Sequence, residues 1–323
     1  MTKISFIGAG AIGTALSNVV AEKRKAKVLL HTIETEVMES VNSIHVNARY
    51  FPSIRLDDSL QATNDNGMLQ ESEIIFLAIP STVLTGYLGT IREWIPPEAI
   101  LVNLAKGFGD RRKTIVRCLK ESFPNPVMTM KGPTFAREII NRVPTGFTLG
   151  YDKKDDPGAV ASLFEGTTVY LDLSDDPEGV EILSILKNIY AIALGIVDAQ
   201  FNSPNMRFLV LTKAFKEMHR LMLLSGGGEE TIFHYCGYGD FTLTALNDLS
   251  RNRTLGLLIG KGFFTPGVSH ELVLEGQLAV QVFHEKIGEM GYPDKDFPIL
   301  SALYRVMNHE EPLPDFIKAL LEA

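Results

Sequence analysis

Cysteine is nearly absent: Cys118 and Cys236 are the only two in 323 residues, and no CxxC spacing joins them. That excludes a disulfide framework and a paired-cysteine redox or zinc motif, and both side chains are expected as reduced thiols of a cytoplasmic protein. Positive charge is also short, with 31 Lys and Arg against 39 Asp and Glu and a net charge of -8. No nucleic-acid or anionic-membrane surface is expected from that balance. An anionic small molecule stays open, because a pocket needs only a few local cations. The seven histidines are scattered, with no HExxH and no Cys/His cluster, so no metal site is expected. Long apolar runs are missing too. The most apolar stretch, Ile182 to Val197, is interrupted by Lys187 and Asn188 and reads as too short and too polar to span a bilayer, so an integral membrane protein is not expected. Met1-Thr2-Lys3 leads straight into a strand-like run and then glycines, which is not the pattern of a signal peptide. No internal repeat or low-complexity segment is visible.

What is present is a change of rhythm half-way along the chain. Short β-branched runs at Ile4–Ile7, Val28–His31, Ile74–Ile79, Ile100–Leu104, Val127–Met130, Gly146–Leu149 and Thr168–Leu171 alternate with helical patterns such as Ile12–Glu22, Val83–Trp94 and Thr114–Ser122. Strands of continuous apolar character, bounded by helices, predict a mostly parallel sheet covered on both faces. After the Ser174-Asp175-Asp176-Pro177 turn, apolar residues recur at helical spacing almost to the end. An α/β Rossmann-like domain over 1–176 and an all-α domain over 177–323 are therefore expected, in keeping with a length too great for one core.

Gly8-Ala9-Gly10-Ala11-Ile12-Gly13 follows the first strand and opens a helix, the context in which GxGxxG binds a dinucleotide. Gly8 permits the tight turn, Gly10 lets the backbone approach a pyrophosphate, and Gly13 allows close helix–strand packing, with phosphate charge on the helix N-terminus. The second strand ends at His31-Thr32-Ile33-Glu34. Glu34 either points inward, where it would repel a 2′-phosphate, or is solvated at the start of the next helix. NAD(H) and NADP(H) both stay open.

Two junctions and one helix carry further chemistry. Lys106, in Ala105-Lys106-Gly107, lies just past a strand end, where open α/β sheets bind ligands; an exposed loop lysine is the bland alternative. In Lys131-Gly132-Pro133-Thr134-Phe135-Ala136, Pro133 is expected in a first helical turn that leaves free N–H groups. Lys187 sits on a helix apolar on most sides. Either it is a proton-transfer group, with desolvation and neighbouring cations lowering its pKa, or it snorkels from the helix edge. Ser250-Arg251-Asn252-Arg253 offers two forked donors flanking an asparagine for a phosphate, and Asp240 a carboxylate to orient or partly neutralise a catalytic lysine; a charged turn between helices is the bland alternative.

Taken in order, GAGAIGTAL (8–16), NARYFPSIRL (47–56), AIPS (78–81), AKGF (105–108), KGPTFAREI (131–139), LKNIYAIALGIVDA (186–199), GYGDFTLT (237–244), LSRNRTLGLLIGKG (249–262) and LEG (274–276) cover nearly the whole chain. In these segments it resembles the NAD(P)-dependent glycerol-3-phosphate dehydrogenase family, its bacterial branch in particular. The resemblance implies a 6-phosphogluconate dehydrogenase-like fold, a homodimer, and a product that feeds phospholipid synthesis. It implies Lys187 as the catalytic acid/base, assisted by Lys106 and Asp240. Lys106, Gly132, Thr134, Asp240, Thr244, Ser250, Arg251 and Asn252 would form the site for a phosphorylated substrate. Ala11, Ile12, Ile33, Tyr50, Lys106, Ala136, Arg251, Val273 and Glu275 would lie against the cofactor, with Gly8, Gly10, Gly13 and Glu34.

The chain departs from the family at Ile33, at Lys131 (which adds a charge close to the site), at Asn205-Met206-Arg207 and at Lys213-Ala214. Two alternatives keep the architecture: a dehydrogenase for another hydroxyacid or polyol phosphate, and a dinucleotide-binding sensor that has lost catalysis.

Overall fold

The computed structural model describes residues 2–263 and 274–322 of the chain. It divides into two compact units, Met1–Glu181 and Ile182–Ala323.

The first unit is built on strands β1 (Thr2–Ile7), β2 (Ala26–His31), β3 (Val46–Asn47), β4 (Phe51–Arg55), β5 (Gln61–Thr63), β6 (Ile74–Leu77), β7 (Ile100–Asn103), β8 (Val127–Lys131), β9 (Thr145–Gly150) and β10 (Val169–Ser174). Eight of them form one sheet in the order β10-β9-β8-β7-β6-β1-β2-β5, parallel except where β9 runs antiparallel to β8. β3 and β4 make a separate antiparallel ribbon. The strand order reverses beside β1, so the loops that leave β1 and β6 lie next to each other, at the switch point where such sheets take their ligands.

Alternate residues of each strand feed two cores. Ile4, Phe6, Val28, Leu30 and Phe76 face one side, with Ala15, Leu16 and Val19 of helix α1 (Ala11–Glu22) packed on them. Ile7, Ile75, Leu77 and Leu101 face the other, under Leu84 and Leu88 of α2 (Ser81–Thr90) and Ile115, Val116 and Leu119 of α3 (Ile115–Ser122). Both faces are covered, which is why these strands read as unbroken apolar runs.

Among its described residues the second unit has helices and no strand. Its spine is α4 (Pro177–Phe201), which starts one turn before the unit boundary, followed by α5 (Pro204–Leu224), α6 (Asp240–Leu246), α7 (Arg251–Gly260), α8 (Leu274–Glu289), α9 (Pro298–Met307) and α10 (Leu313–Glu322). At 25 residues α4 is long and apolar enough to cross a membrane, contrary to the reading that its length and polarity forbid it. Its apolar window is entirely buried inside the protein, as a core helix. Helices α4 and α7 touch through glycine: a Cβ on Gly256 would stand 2.0 Å from the Ile192 carbonyl oxygen, and one on Gly195 would stand 2.3 Å from that of Arg253.

Candidate active site

The glycine loop of the first unit is shaped by hard contacts. Gly8 has φ of +110°, and a Cβ there would lie 2.6 Å from the Ala78 carbonyl oxygen in the neighbouring loop. A Cβ on Gly13 would lie 2.0 Å from Gly8 O, which only a hydrogen tolerates. Gly10 differs: among the described residues beyond its chain neighbours no atom comes within 4 Å of an added Cβ, so their packing does not require glycine there. It is also the N-cap of α1 and supplies no side-chain cap. Half-buried Ala11 and Ile12 follow it in the first turn, whose N–H groups point out of the helix end. This mouth fits a pyrophosphate, which needs close backbone approach and unfilled donors.

Asn47, fully buried, latches the loop. Its amide donates to Ala9 O at 2.9 Å and to Thr14 Oγ1 at 2.8 Å, and its oxygen accepts from Tyr50 N at 3.2 Å. It lies within a quoted motif, yet no role was expected of it. The signal was an asparagine at the start of a hairpin that returns toward the glycine loop. Ile33 is 80% exposed beyond the end of β2. Glu34 occupies the N-cap position of the helix Thr35–Ile44 and pairs with Arg49, whose guanidinium lies over the Tyr50 ring at 5.6 Å. Both expectations for Glu34 were thus incomplete, because an arginine neutralises it.

On the same sheet edge, Lys106 reaches from the loop after β7 to the loop after β8, donating to Gly132 O at 3.2 Å. Gly132 is packed so tightly that a Cβ would stand 2.4 Å from Gly146 O. Thr134 and Ala136 are half-buried beside it. The short helix begins only at Ala136, so Pro133 precedes it and does not sit in its first turn. Lys131 adds no charge to the site: it is 1% exposed and paired with Glu181.

In the second unit Lys187, Asp240 and Thr244 come together. Lys187 Nζ donates to Asp240 Oδ1 at 2.5 Å and to Thr244 Oγ1 at 2.9 Å. The lysine side chain is 5% exposed and the aspartate 1%, so the snorkelling alternative does not hold. A carboxylate, that of Asp240, is a close neighbour of the ammonium. A π-helical turn, Tyr235–Gly239, runs straight into α6 and sets Asp240 at its first position. Ser250 caps α7, its Oγ accepting from Arg253 N at 3.3 Å. Arg251 is exposed in the first turn of α7. Asn252 is 9% exposed, and among the described residues its Oδ1 has no hydrogen-bond partner. Arg253 is the exception to the forked pair: it is buried and bonded to Asp198, Asp248 and Ala245 O. Glu275 is half-buried in the first turn of α8, and Val273 lies outside the described residues.

The other departures also have structural partners. Arg207 donates to Asp198 at 2.7 Å, and Lys213 donates to the carbonyls of Leu320 and Leu321 at the end of α10. Among the described residues no group of three His, Cys, Asp or Glu could hold a metal ion.

Residues 3–156 match the model of the NAD-dependent glycerol-3-phosphate dehydrogenase N-terminus, and residues 176–318 match that of its C-terminus. A glycerol-3-phosphate dehydrogenase [NAD(P)+] of Methanothermobacter thermautotrophicus is 33% identical, over 99% of this chain and 97% of the relative. The chain belongs to the NAD(P)-dependent glycerol-3-phosphate dehydrogenase family. A relative of the same description from Geobacter sulfurreducens is 32% identical, over 99% of this chain and 96% of its own. The crystal structure of glycerol-3-phosphate dehydrogenase from Coxiella burnetii superposes with a TM-score of 0.86 at 26% identity, covering 100% of this chain and 99% of that one. Family membership makes the chain an NAD(P)-dependent oxidoreductase with a Rossmann-type sheet and a helical second part.

Proposed function

We propose that the protein interconverts dihydroxyacetone phosphate and sn-glycerol 3-phosphate in the cytoplasm, supplying the backbone for glycerophospholipids. The observation that carries this reading is the buried Lys187–Asp240–Thr244 cluster, in a chain of this family whose glycine loop has an open helix mouth.

The first unit holds the dinucleotide, with Gly8, Gly10 and Gly13 shaping its bed and Ala11 and Ile12 offering N–H groups. Ile33, Glu34, Tyr50 and Ala136 are assigned to its cofactor surface. A bound reduced nicotinamide supplies the hydride. Lys187 gives a proton to the alkoxide developing at C2, held by Asp240 and Thr244 so that its ammonium is aimed before the substrate arrives. Lys106, with Gly132 and Thr134, stabilises charge on the substrate. Arg251 and Asn252 at the N-terminus of the Ser250-capped helix hold the phosphate, and an Asn252 Oδ1 left without a partner among the described residues supports a polar ligand there. Binding energy from that remote phosphate orients the carbonyl.

Two copies are proposed to associate. Phe208 and Leu249, 55% and 73% exposed on the helical unit, are the apolar side chains such an interface would cover. Cys118 and Cys236 are buried and form no disulfide with each other, which suits a reducing compartment. Loss of reduced-nicotinamide absorbance, followed in parallel for NADH and NADPH with dihydroxyacetone phosphate, tests the reaction. Oxidation of either cofactor is expected. Consumption with a 2-keto acid and none with dihydroxyacetone phosphate would contradict it.

A further inference from the structure

Lys131 and Glu181 are each 1% exposed and lie 3.7 Å apart. A buried ion pair is weak evidence for stability, since desolvating two charges offsets their attraction. The bonds around this one run toward the site. Lys131 Nζ donates to Asn103 O at 2.9 Å and to Thr129 Oγ1 at 2.7 Å. Thr129 Oγ1 has two acceptors for its one proton, Glu181 Oε1 at 3.1 Å and Asn103 O at 3.2 Å, while Glu181 Oε2 accepts from Val116 N at 2.9 Å in the first turn of α3. Asn103 Nδ2 also donates to Glu181. With that end of its amide held, Asn103 Oδ1 accepts from Ala105 N at 2.9 Å, one residue before Lys106. At the other end Lys131 is followed directly by Gly132, the residue whose carbonyl receives the Lys106 ammonium.

We propose that Lys131 and Glu181 are a positioning pair for Lys106, fixing both its main chain, through Asn103 and Ala105, and the carbonyl that its ammonium grips. A carboxylate only accepts hydrogen bonds, so it dictates which end of the Asn103 amide faces it and leaves the oxygen for Ala105. An amide or a protonated acid in its place both donates and accepts, and the dictation is lost. Lys131 is the buried counter-charge to Glu181, 3.7 Å away. This inference rests on the reading of Lys106 as a group that acts on the substrate.

The test uses the full chain, with Lys131→Met, Glu181→Gln and the double variant, which removes both charges at nearly constant volume and so keeps the fold testable. Amide exchange at Ala105 reads the brace without any turnover, and it is expected to quicken about tenfold or more in the double variant. Unchanged exchange there overturns the proposal. Kinetics read the consequence: Lys131→Met is expected to lower kcat about tenfold or more, yet to cost nothing further in a Lys106→Ala background. Equal losses in both backgrounds would make the pair merely structural and overturn the positioning role. If Lys106→Ala turns over as the wild type does, the reading of Lys106 fails instead, and the exchange result still decides whether the pair braces Ala105.

Discussion

Lys187 and Asp240 stand 53 positions apart in the chain and meet at 2.5 Å, both almost wholly buried. α4 brings the lysine and α6 the aspartate, and Thr244, one turn on in α6, takes a second hydrogen bond from the same ammonium. Two of the three donors of Lys187 are thus fixed by the protein, which constrains the direction of the third.

Gly10 and Gly13 of the dinucleotide loop separate by experiment. Gly10→Ala is expected to leave thermal stability near wild type, because its added methyl meets no atom of the described residues beyond its chain neighbours. It should weaken NADH binding about tenfold or more, the equivalent of ~1.4 kcal/mol. Gly13→Ala forces a methyl against Gly8 O and should destabilise the fold by roughly 1–3 kcal/mol. Parallel thermal melts and cofactor titrations check both. Equal behaviour of the two variants would contradict the account.

Arg251 and Arg253 look alike in the sequence and differ in the structure. Arg251→Ala should raise KM for dihydroxyacetone phosphate with little change in melting temperature, because its side chain is exposed. Arg253→Ala leaves buried Asp198 with a broken network, at a cost of about 3–5 kcal/mol in stability. Denaturant unfolding alongside steady-state kinetics distinguishes the two losses.

Much of this was legible beforehand and some was not, for physical reasons. The strands from Ile4 to Met130 declared themselves because parallel strands buried on both faces are unbroken apolar runs, and Gly8 to Gly13 because their spacing follows a strand. The ribbon Val46–Asn47 with Phe51–Arg55 and the edge strand Gln61–Thr63 stayed hidden: they are short, partly polar and carry Pro52. The antiparallel turn of β9 leaves no local mark on composition. Lys187 and Asp240 could be flagged as odd charges, but their contact depends on tertiary packing. For the same reason the sequence could not show that Lys131, Arg207, Lys213 and Arg253 are engaged in internal bonds rather than facing a ligand.

Cofactor choice turns on Glu34 and Arg49. Their pairing leaves a carboxylate for a ribose hydroxyl and an arginine for a 2′-phosphate within one contact. Arg49→Ala should shift the ratio of kcat/KM toward NADH by about tenfold, and Glu34→Ser toward NADPH by a similar factor. Ratios unchanged in both variants would remove the pair from cofactor recognition.

Stability should depend on pH through Glu217. Burial pushes its carboxyl up from 4.5 to about 7, against the pull of hydrogen bonds from Ile299 N, Leu300 N and Tyr190. The folded state therefore holds a proton that the unfolded chain has released. The contribution is full below pH 4.5 and is lost as pH rises through about 7, on the order of 3 kcal/mol in all. Urea unfolding of wild type and Glu217→Gln between pH 5 and pH 8 should show this slope in the wild type alone. A slope of the same size in the glutamine variant would assign it elsewhere.

The central claim is that Lys187 moves the proton, and Lys187→Ala tests it most directly. Turnover of dihydroxyacetone phosphate with reduced cofactor would be measured on folded variant whose NADH affinity has been titrated separately. A fall in kcat of ~10²–10⁴-fold, with NADH affinity held, is the result expected of a lost general acid. Turnover near wild type in that same folded, cofactor-binding variant would contradict the assignment.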